Sequence, residues 1–409
     1  MEDSSRLHAG YQFHTNIHQT RLGSGSLDPI PRHPGWHAAR ANSPGSDLVN
    51  SPVDAIAGCL WGTAVGDALG LPYEGLSRRR AAKLLGPPTR YRFLGSRGMI
   101  SDDTEHACLV AQSLIASQGD AGRFANDLGY RLRRWFLTLP AGLGLATVKA
   151  CLKLCVGVSP SSSGVFSAGN GPLMRCVILG VAVRDRDLLR QLVKASTHLT
   201  HTDPKAELSA AALALCSRMT IEATSEEELP SAFLTAFMEQ EHLSEDHELR
   251  LIIGRVVQSV AIGQSTLDFA ISQGWTRGVS GYVYHTLPIV LHAAWSHPRD
   301  YAKAVQSVIE CGGDTDTTAA LVGGILGARL GPAAIPQEWL DGLKEWPQSL
   351  EWIRQLGEQL AEVLSTQQLG PSSPPIRPKQ LPFAGLLARN LGFLAIVICH
   401  VIRRLLPPY

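Results

Sequence analysis

Two short acidic clusters are the residues of this sequence best suited to chemistry. SDDTE at 101–105 and GGDTDTT at 312–318 each place a pair of acids and a hydroxyl residue directly before an apolar stretch with helical spacing. Asp, Ser and Thr are ordinary helix caps, and acids in a first turn suit the helix dipole, so a cap explains one acid in each cluster. It does not explain a pair of acids in both clusters, and buried carboxylates are costly unless they share a cation. Together the two clusters predict a metal site.

The candidate ligands are all oxygen donors, because neither cluster contains Cys or a His. They are Ser101, Asp102, Asp103, Asp314, Asp316 and Thr317. Oxygen-only sites select hard cations, which favours Mg²⁺ or Mn²⁺ over Zn²⁺. Six such groups from two helix starts could hold two ions, which lie about 3.5–4 Å apart in two-metal enzymes. The sequence therefore predicts two divalent cations as cofactors.

Four further segments place polar groups where helices begin or end. Glu74 follows the helix-ending GLP at 70–72, where it could act as an acid or base or be an ordinary surface charge. The glycines of GNGPLMR at 169–175 expose backbone N–H groups before a helix, which fits an anion cradle or an ordinary turn. His201 lies between two helices, where a lone His is normally structural. Tyr282 lies in a bend whose aromatic rings could stack on a base.

The elements that must position these groups have helical patterns over most of the chain. Ser51 is a hydroxyl cap with Pro52 at the first helical position, and the Ala- and Gly-rich stretch 55–70 that follows predicts a buried central helix. Strand-like alternation is scarce, so we predict an all-α fold. Apolar residues recur at helical spacing in six further stretches: 104–115, 188–199, 206–219, 249–261, 301–309 and 317–330.

Composition shifts divide the chain into four predicted parts. Residues 1–50 lack apolar periodicity, which predicts a disordered or loosely packed extension, and 51–365 form the helical domain. Residues 366–382 read as a Pro-rich linker, and 383–409 as an apolar C-terminal helix. Its apolar run is too short to span a bilayer. It predicts a docked helix, or a peripheral contact with a membrane or a partner through 383–405.

Charge and cysteine usage narrow the expected partners and compartment. With 37 Lys and Arg against 36 Asp and Glu, the net charge of +1 gives no general attraction to nucleic acid, so no such partner is expected. The eight cysteines form no zinc pattern and fit a reducing compartment. The first residues contain no apolar signal segment. We expect a cytoplasmic protein, with peripheral membrane association as an open alternative.

In this order, the segments resemble the ADP-ribosylglycohydrolase family, which includes the dinitrogenase reductase-activating glycohydrolase. The resemblance covers about 54–332 and rests on GDALG followed by Glu74, SDDT at 101–104, GNGPLMR at 169–175, LTHTD at 199–203 and GGDTDT at 312–317. It implies a compact orthogonal all-α domain with a dinuclear Mg²⁺ or Mn²⁺ cleft. The family often has Thr where Ser101 stands; Ser keeps the hydroxyl and carbonyl oxygens, so metal binding is little affected.

The resemblance also implies roles for individual residues. The six oxygen donors would be metal ligands, and Glu74 or Asp103 would be the catalytic acid or base near the reacting sugar. The ADP-ribose cleft would be lined by Gly169, Asn170, Gly171 and Met174, with His201 beside it and Tyr282 towards the adenine. The implied reaction is hydrolysis of the N- or O-glycosidic bond at C1″ of ADP-ribose, with a modified protein side chain as the favoured substrate.

The sequence leaves two other functions open. The same cleft could hydrolyse a small ADP-ribose conjugate such as O-acetyl-ADP-ribose, because the two enzymes would differ only at the cleft rim. A catalytically silent ADP-ribose-binding protein is the alternative outside enzymes. Loss of acids from the clusters would favour it, and both clusters are complete.

Overall fold

The computed structural model describes residues 51–93, 95–240, 245–365 and 376–405. Within these ranges the chain forms seventeen α-helices, and its extended segments form only isolated bridges, which confirms the predicted all-α fold. The predicted extension 1–50 lies outside the described residues, as does 366–375 of the predicted linker. The helices are α1 (Pro52–Gly70), α2 (Arg78–Leu84), α3 (Asp102–Ser117), α4 (Ala121–Phe136), α5 (Leu145–Cys155), α6 (Leu173–Ala182), α7 (Arg186–His198), α8 (Pro204–Glu222), α9 (Leu229–Glu239), α10 (His247–Ala261), α11 (Thr266–Ser272), α12 (Val283–Ser296), α13 (Tyr301–Cys311), α14 (Thr315–Leu330), α15 (Gln337–Gly342), α16 (Leu350–Ser365) and α17 (Phe383–Leu405), with 3₁₀ turns at Leu71–Tyr73 and Pro332–Ala334.

Helix α1 begins where the sequence predicts and is the central helix of the domain. The Ser51 hydroxyl accepts a hydrogen bond from the backbone N–H of Asp54 at 3.2 Å, and Pro52 is the first helical residue. From Ala55 to Gly70 nearly every residue is buried. A helix that is apolar on all sides must be covered on all sides, which is why the other helices surround it.

The contact between α1 and α14 depends on glycine. A Cβ atom on Gly62 would lie 2.1 Å from the carbonyl oxygen of Gly323, and one on Gly70 would lie 2.3 Å from that of Thr315. Any larger side chain would therefore force the two backbones apart. The Thr315 hydroxyl also donates to the Gly70 carbonyl at 2.9 Å. The two helices run antiparallel, so the start of α14 lies beside the end of α1.

The C-terminal helix α17 buries one side and exposes the other. Arg389, Asn390 and Phe393 are buried against the domain. In the part of the chain that the structure describes, no helix is long and apolar enough to cross a membrane. The exposed side carries apolar residues at helical spacing: Leu391, Leu394, Ile398, Val401 and Ile402.

Candidate functional site

The starts of α3 and α14 face a common cleft of about 590 Å³. Two predicted site residues do not line it: Ser101 is buried just behind the cleft wall, and Tyr282 lies beside it. The other predicted site residues all line the cleft: Glu74, Asp102, Asp103, Gly169, Asn170, Gly171, Met174, His201, Asp314, Asp316 and Thr317.

The two acidic clusters are in direct contact, although they are far apart in sequence. The Thr317 hydroxyl donates a hydrogen bond to Oδ2 of Asp103 at 3.1 Å, across 214 positions of the chain. The Ser101 hydroxyl donates to the same oxygen at 3.3 Å. On the other side of the cleft, the Asn170 amide donates to Oδ2 of Asp314 at 2.6 Å. Carboxylates of both clusters are thus presented to one space.

Asp67, a fully buried carboxylate in α1, holds the first cluster in place. Its Oδ2 accepts hydrogen bonds from the backbone N–H of Ser101 at 2.9 Å, and from the N–H and hydroxyl of Thr104 at 3.2 and 2.5 Å. Burial raises the pKa of Asp67 to about 6, although the hydrogen bonds from Thr104 and Ser101 act in the opposite direction. Asp67 was not among the predicted site residues, and the only sign of its role in the sequence is that it is a lone acid within an Ala- and Gly-rich helix.

The cleft concentrates negative charge away from water. Burial raises the pKa of the Asp102, Asp103 and Asp316 carboxyls well above their ordinary values, and the neighbouring carboxylates raise it further. Among the described residues, Oδ1 of Asp103 and Oδ1 of Asp316 are buried without a hydrogen-bond partner. Crowded, unsatisfied carboxylate oxygens are what a bound cation stabilises.

The donor set at this place fits a hard divalent cation only when hydroxyl oxygens are included. Within the described ranges, no group of three or more His, Cys, Asp or Glu side chains is already arranged to hold a metal ion. Binding there would therefore need the hydroxyls of Ser101 or Thr317, water, or small side-chain movements. Mg²⁺ in particular keeps several waters and uses few carboxylates, which suits such a site.

Backbone pairing between three loops places Glu74 at the mouth of the cleft. The N–H of Gly75 donates to the Gly313 carbonyl at 2.8 Å, and that of Asp314 donates to the Val279 carbonyl at 2.8 Å. Gly313 has φ 89°, and a Cβ there would lie 2.0 Å from the Val279 oxygen, so only glycine fits. Glu74 is exposed and lines the cleft, which is compatible with either predicted role.

The predicted substrate loop at 169–171 lies directly on the ring of His201. A Cβ on Gly169 or Gly171 would come within 3.1 or 3.0 Å of the imidazole. Burial, aided by the charge of Arg175, lowers the pKa of His201 to about 3, so the ring is neutral. Its Nδ1 lies 2.8 Å from the Thr200 hydroxyl. The glycines therefore let the loop rest on a rigid, uncharged support and leave its outer side to the cleft.

Other residues that line the cleft carried little signal in the sequence. The segment 142–147, which ends in the first turn of α5, contributes Gly142, Gly144 and Thr147. The described lining includes one Lys or Arg side chain, Arg277. These residues belong to no acidic cluster. The backbone of Tyr282 pairs with that of Gly169, and its hydroxyl accepts a hydrogen bond from Lys205 at 3.0 Å.

An all-α domain with an acid-lined cleft between two helix starts defines the class of this protein. The model of the ADP-ribosylglycohydrolase family matches residues 49–370, and the chain belongs to that family. It is therefore a hydrolase of ADP-ribose linkages, from a family that uses divalent metal ions.

Curated relatives match most of their own length. An uncharacterized protein of Archaeoglobus fulgidus is 30% identical over 315 residues, which are 75% of this chain and 95% of that protein. The ADP-ribosyl-dinitrogen reductase glycohydrolase of Rhodospirillum rubrum is 28% identical over 303 residues, 71% of this chain and 90% of that protein. The ADP-ribosylhydrolase ARH3 of Gallus gallus is 25% identical over 349 residues, 74% and 92% of the two chains.

A solved structure has the same fold. It is described as an ADP-ribosylglycohydrolase-related protein complex and matches with a TM-score of 0.58 at 27% identity. The match covers 77% of this chain and 100% of that one.

Proposed function

We propose that this protein uses two divalent cations, Mg²⁺ or Mn²⁺, to hydrolyse the glycosidic bond at C1″ of ADP-ribose, with an ADP-ribosylated protein side chain as substrate. The observation that carries the proposal is the hydrogen bond from Thr317 to Asp103. It joins two acidic clusters that helix capping alone gives no reason to bring together. The names of relatives that act on ADP-ribosylated protein support the choice of substrate.

The residues of the two clusters would hold the ions through oxygen atoms. When bound, the ions would supply Lewis acidity that orients the ribose hydroxyls and lowers the pKa of a nearby water towards neutrality. The proposed ligands are Ser101, Asp102, Asp103, Asp314, Asp316 and Thr317.

The remaining chemistry falls to carboxylates at the reacting sugar. Departure of the acceptor leaves positive charge on C1″, which the acid-lined cleft would stabilise. Glu74 at the mouth, or Asp103 at the base, would accept the proton of the attacking water, and the two remain alternatives. Glu74 is more accessible than Asp103 to the modified side chain of a substrate protein, because Glu74 is exposed on a loop.

The Gly169–Gly171 loop would receive the ADP-ribose. The loop lies just before α6, and a helix start favours an anion such as a diphosphate. The N–H groups of Gly169 and Asn170 already donate to the Ser167 hydroxyl at 3.3 Å and to the Gly281 carbonyl at 2.9 Å, so the start of α6 rather than these two groups would attract the anion. Asn170 hydrogen bonds to Asp314 and to the Thr286 hydroxyl, so its side chain is already oriented at the cleft wall. His201 would support the loop from below, and Tyr282 would lie towards the adenine.

A panel of substrates tests the proposal. The full-length protein would be assayed on Arg-linked and Ser-linked ADP-ribosyl proteins and on O-acetyl-ADP-ribose, each with Mg²⁺, Mn²⁺ or a chelator. We expect release of ADP-ribose from a protein substrate, at least about 100-fold faster with metal than with chelator. The measurement is ADP-ribose released per enzyme per minute.

Three results would contradict the proposal. Turnover of O-acetyl-ADP-ribose alone would assign the cleft to small conjugates. Calorimetric binding of ADP-ribose without turnover at any divalent ion would make the protein a silent binder. Equal rates with metal and with chelator would show that the acidic clusters are not a metal site.

The predicted peripheral contact of 383–405 has a separate test. Leu394 and Ile398 lie on the exposed side of α17, so Leu394→Glu with Ile398→Glu should leave the fold and turnover intact. If this side rests on a membrane surface, the double substitution should weaken co-sedimentation with anionic vesicles by about tenfold or more. If the parent protein does not sediment with vesicles, the membrane contact is wrong.

A further inference from the structure

Helix α17 contacts three loops that line the cleft, although it lies beyond the residues 49–370 that match the family. A small apolar cluster, separate from the main core, joins it to them: Leu71, Phe93, Met99, Ala141, Phe393, Ile396 and Val397. Leu71, Met99 and Ala141 each lie within three positions of a residue that lines the cleft. A segment outside the family match is therefore packed against the supports of the site.

Arg389 of α17 forms the polar part of this contact. Its guanidinium binds both carboxylate oxygens of Glu345, at 2.9 and 2.8 Å, and lies 3.6 Å from Glu105. It also donates to the Ile100 carbonyl at 2.6 Å. The Arg389, Glu345 and Glu105 side chains are only 6%, 2% and 5% exposed. These charges are removed from water, so their geometry is tightly constrained.

These bonds hold the first acidic cluster from both sides. Ile100 immediately precedes the cluster, and its N–H donates to Glu345 at 3.0 Å while its carbonyl accepts from Arg389. Glu105 ends the cluster and also accepts from the Trp135 indole at 2.6 Å. The segment 101–104, which carries Asp102 and Asp103, is thus fixed at both ends by groups that meet at one guanidinium.

The next residue of α17 contacts a second cleft loop. The Asn390 amide donates to the Thr138 carbonyl at 3.1 Å and to its hydroxyl at 2.9 Å. Thr138 lies four residues before Gly142, where the cleft-lining segment 142–147 begins, and Thr147 of that segment lies beside Gly171. Arg389 and Asn390 together tie one helix to two walls of the site.

Loss of the guanidinium would have a larger effect than loss of one contact. Glu105 and Glu345 would remain buried without their shared counter-charge, next to a cleft that is already acidic. Their repulsion would displace Ile100 or the first turn of α3, and with it the carboxylates of the first cluster. Arg389 therefore acts on the segment 101–104 in two ways: its hydrogen bonds fix the backbone position, and its charge balances the two buried carboxylates.

We propose that Arg389 is a positioning residue for the cleft: it holds the segment 101–104 in the geometry that binds divalent cations. The metal part of this inference rests on the proposed function. The competing view is that α17 only stabilises the domain, in which case its loss would lower stability without altering ion affinity or the local order of 98–105.

The experiment compares the full-length protein with Arg389→Met and Arg389→Lys. Isothermal titration with Mn²⁺ should show affinity weakened about tenfold or more by Arg389→Met, as for outer-shell residues of metal sites. The Mn²⁺ affinity of Arg389→Lys should lie between those of the parent and Arg389→Met, because Lys keeps the charge but loses the bidentate geometry. Hydrogen exchange of the metal-free proteins should be faster in 98–105 for Arg389→Met.

Arg329→Met is the matched control. Arg329 is also buried, 2% exposed, and pairs with Glu226 at 2.8 Å near the far end of α14. Its loss should lower thermal stability while Mn²⁺ affinity and exchange in 98–105 stay as in the parent. If Arg389→Met has the Mn²⁺ affinity of the parent and its hydrogen exchange in 98–105, the proposal is overturned. If the parent itself binds no Mn²⁺, the proposed function fails, and the exchange of 98–105 alone decides whether Arg389 positions the segment.

Discussion

Asp316→Asn should lower kcat by about 1,000-fold, equivalent to roughly 4 kcal/mol of transition-state stabilisation. The Asp316 carboxyl is buried at the start of α14, and its Oδ1 has no hydrogen-bond partner among the described residues. An amide is nearly the same size but carries no charge, so it would remove one ligand with little change in packing. Asp314→Asn should act in the same direction. The measurements are kcat on the protein-linked substrate and Mn²⁺ affinity by calorimetry.

Asp185→Asn separates the metal role from helix capping. Asp185 caps α7 through the N–H of Leu188 at 2.7 Å, and it lies outside the cleft lining. Asn is as good a cap as Asp, so this control should keep activity and stability. If Asp316→Asn behaves like Asp185→Asn in both assays, the acids of the second cluster are ordinary first-turn residues and the metal site is wrong.

Gly62→Val should destabilise the protein by about 3 kcal/mol or more. The new Cβ would lie 2.1 Å from the Gly323 carbonyl oxygen, a backbone atom that cannot rotate away. Helices α1 and α14 would have to separate. Because α1 carries Asp67 and α14 carries Asp316, activity should fall as well. Denaturant unfolding measures the first effect and turnover the second.

Gly254→Ala is the control for replacing a helical glycine that has no close neighbour. Gly254 lies within α10, where an added Cβ would meet nothing within 4 Å. Alanine there should raise stability by roughly 0.5–1 kcal/mol, since it favours the helix. Parental stability in Gly62→Val would mean that the two helices do not approach as closely as described.

The helical fold was predictable because its signals are local. Ser51 and Pro52 indicate the start of α1. The apolar spacing at 317–330 and 301–309 closely matches the observed α14 and α13. Such patterns depend on which side of a helix is buried, a property of neighbouring residues. The glycines of α1 indicated close packing, but their partner helix was not readable, because the contact joins positions more than 200 residues apart.

The residue types of the two acidic clusters, and their order along the chain, were determined by the sequence alone. Tertiary structure decided what surrounds them. Asp67 became a support because α1 passes behind Ser101 and Thr104. The segment 142–147 became a cleft wall, and Arg389 came to lie against Glu105, only because the chain folds back on itself.

The physical reason for this difference is the distance along the chain over which each interaction acts. Capping, helical spacing and ligand chemistry act between residues within a turn or two of one another, so they are visible in sequence. The hydrogen bond from Thr317 to Asp103 and the ion pair of Arg389 join residues whose separation in sequence carries no information about their separation in space. Those contacts follow from the packing of α1 against α14 and from the docking of α17, and only the folded chain specifies them.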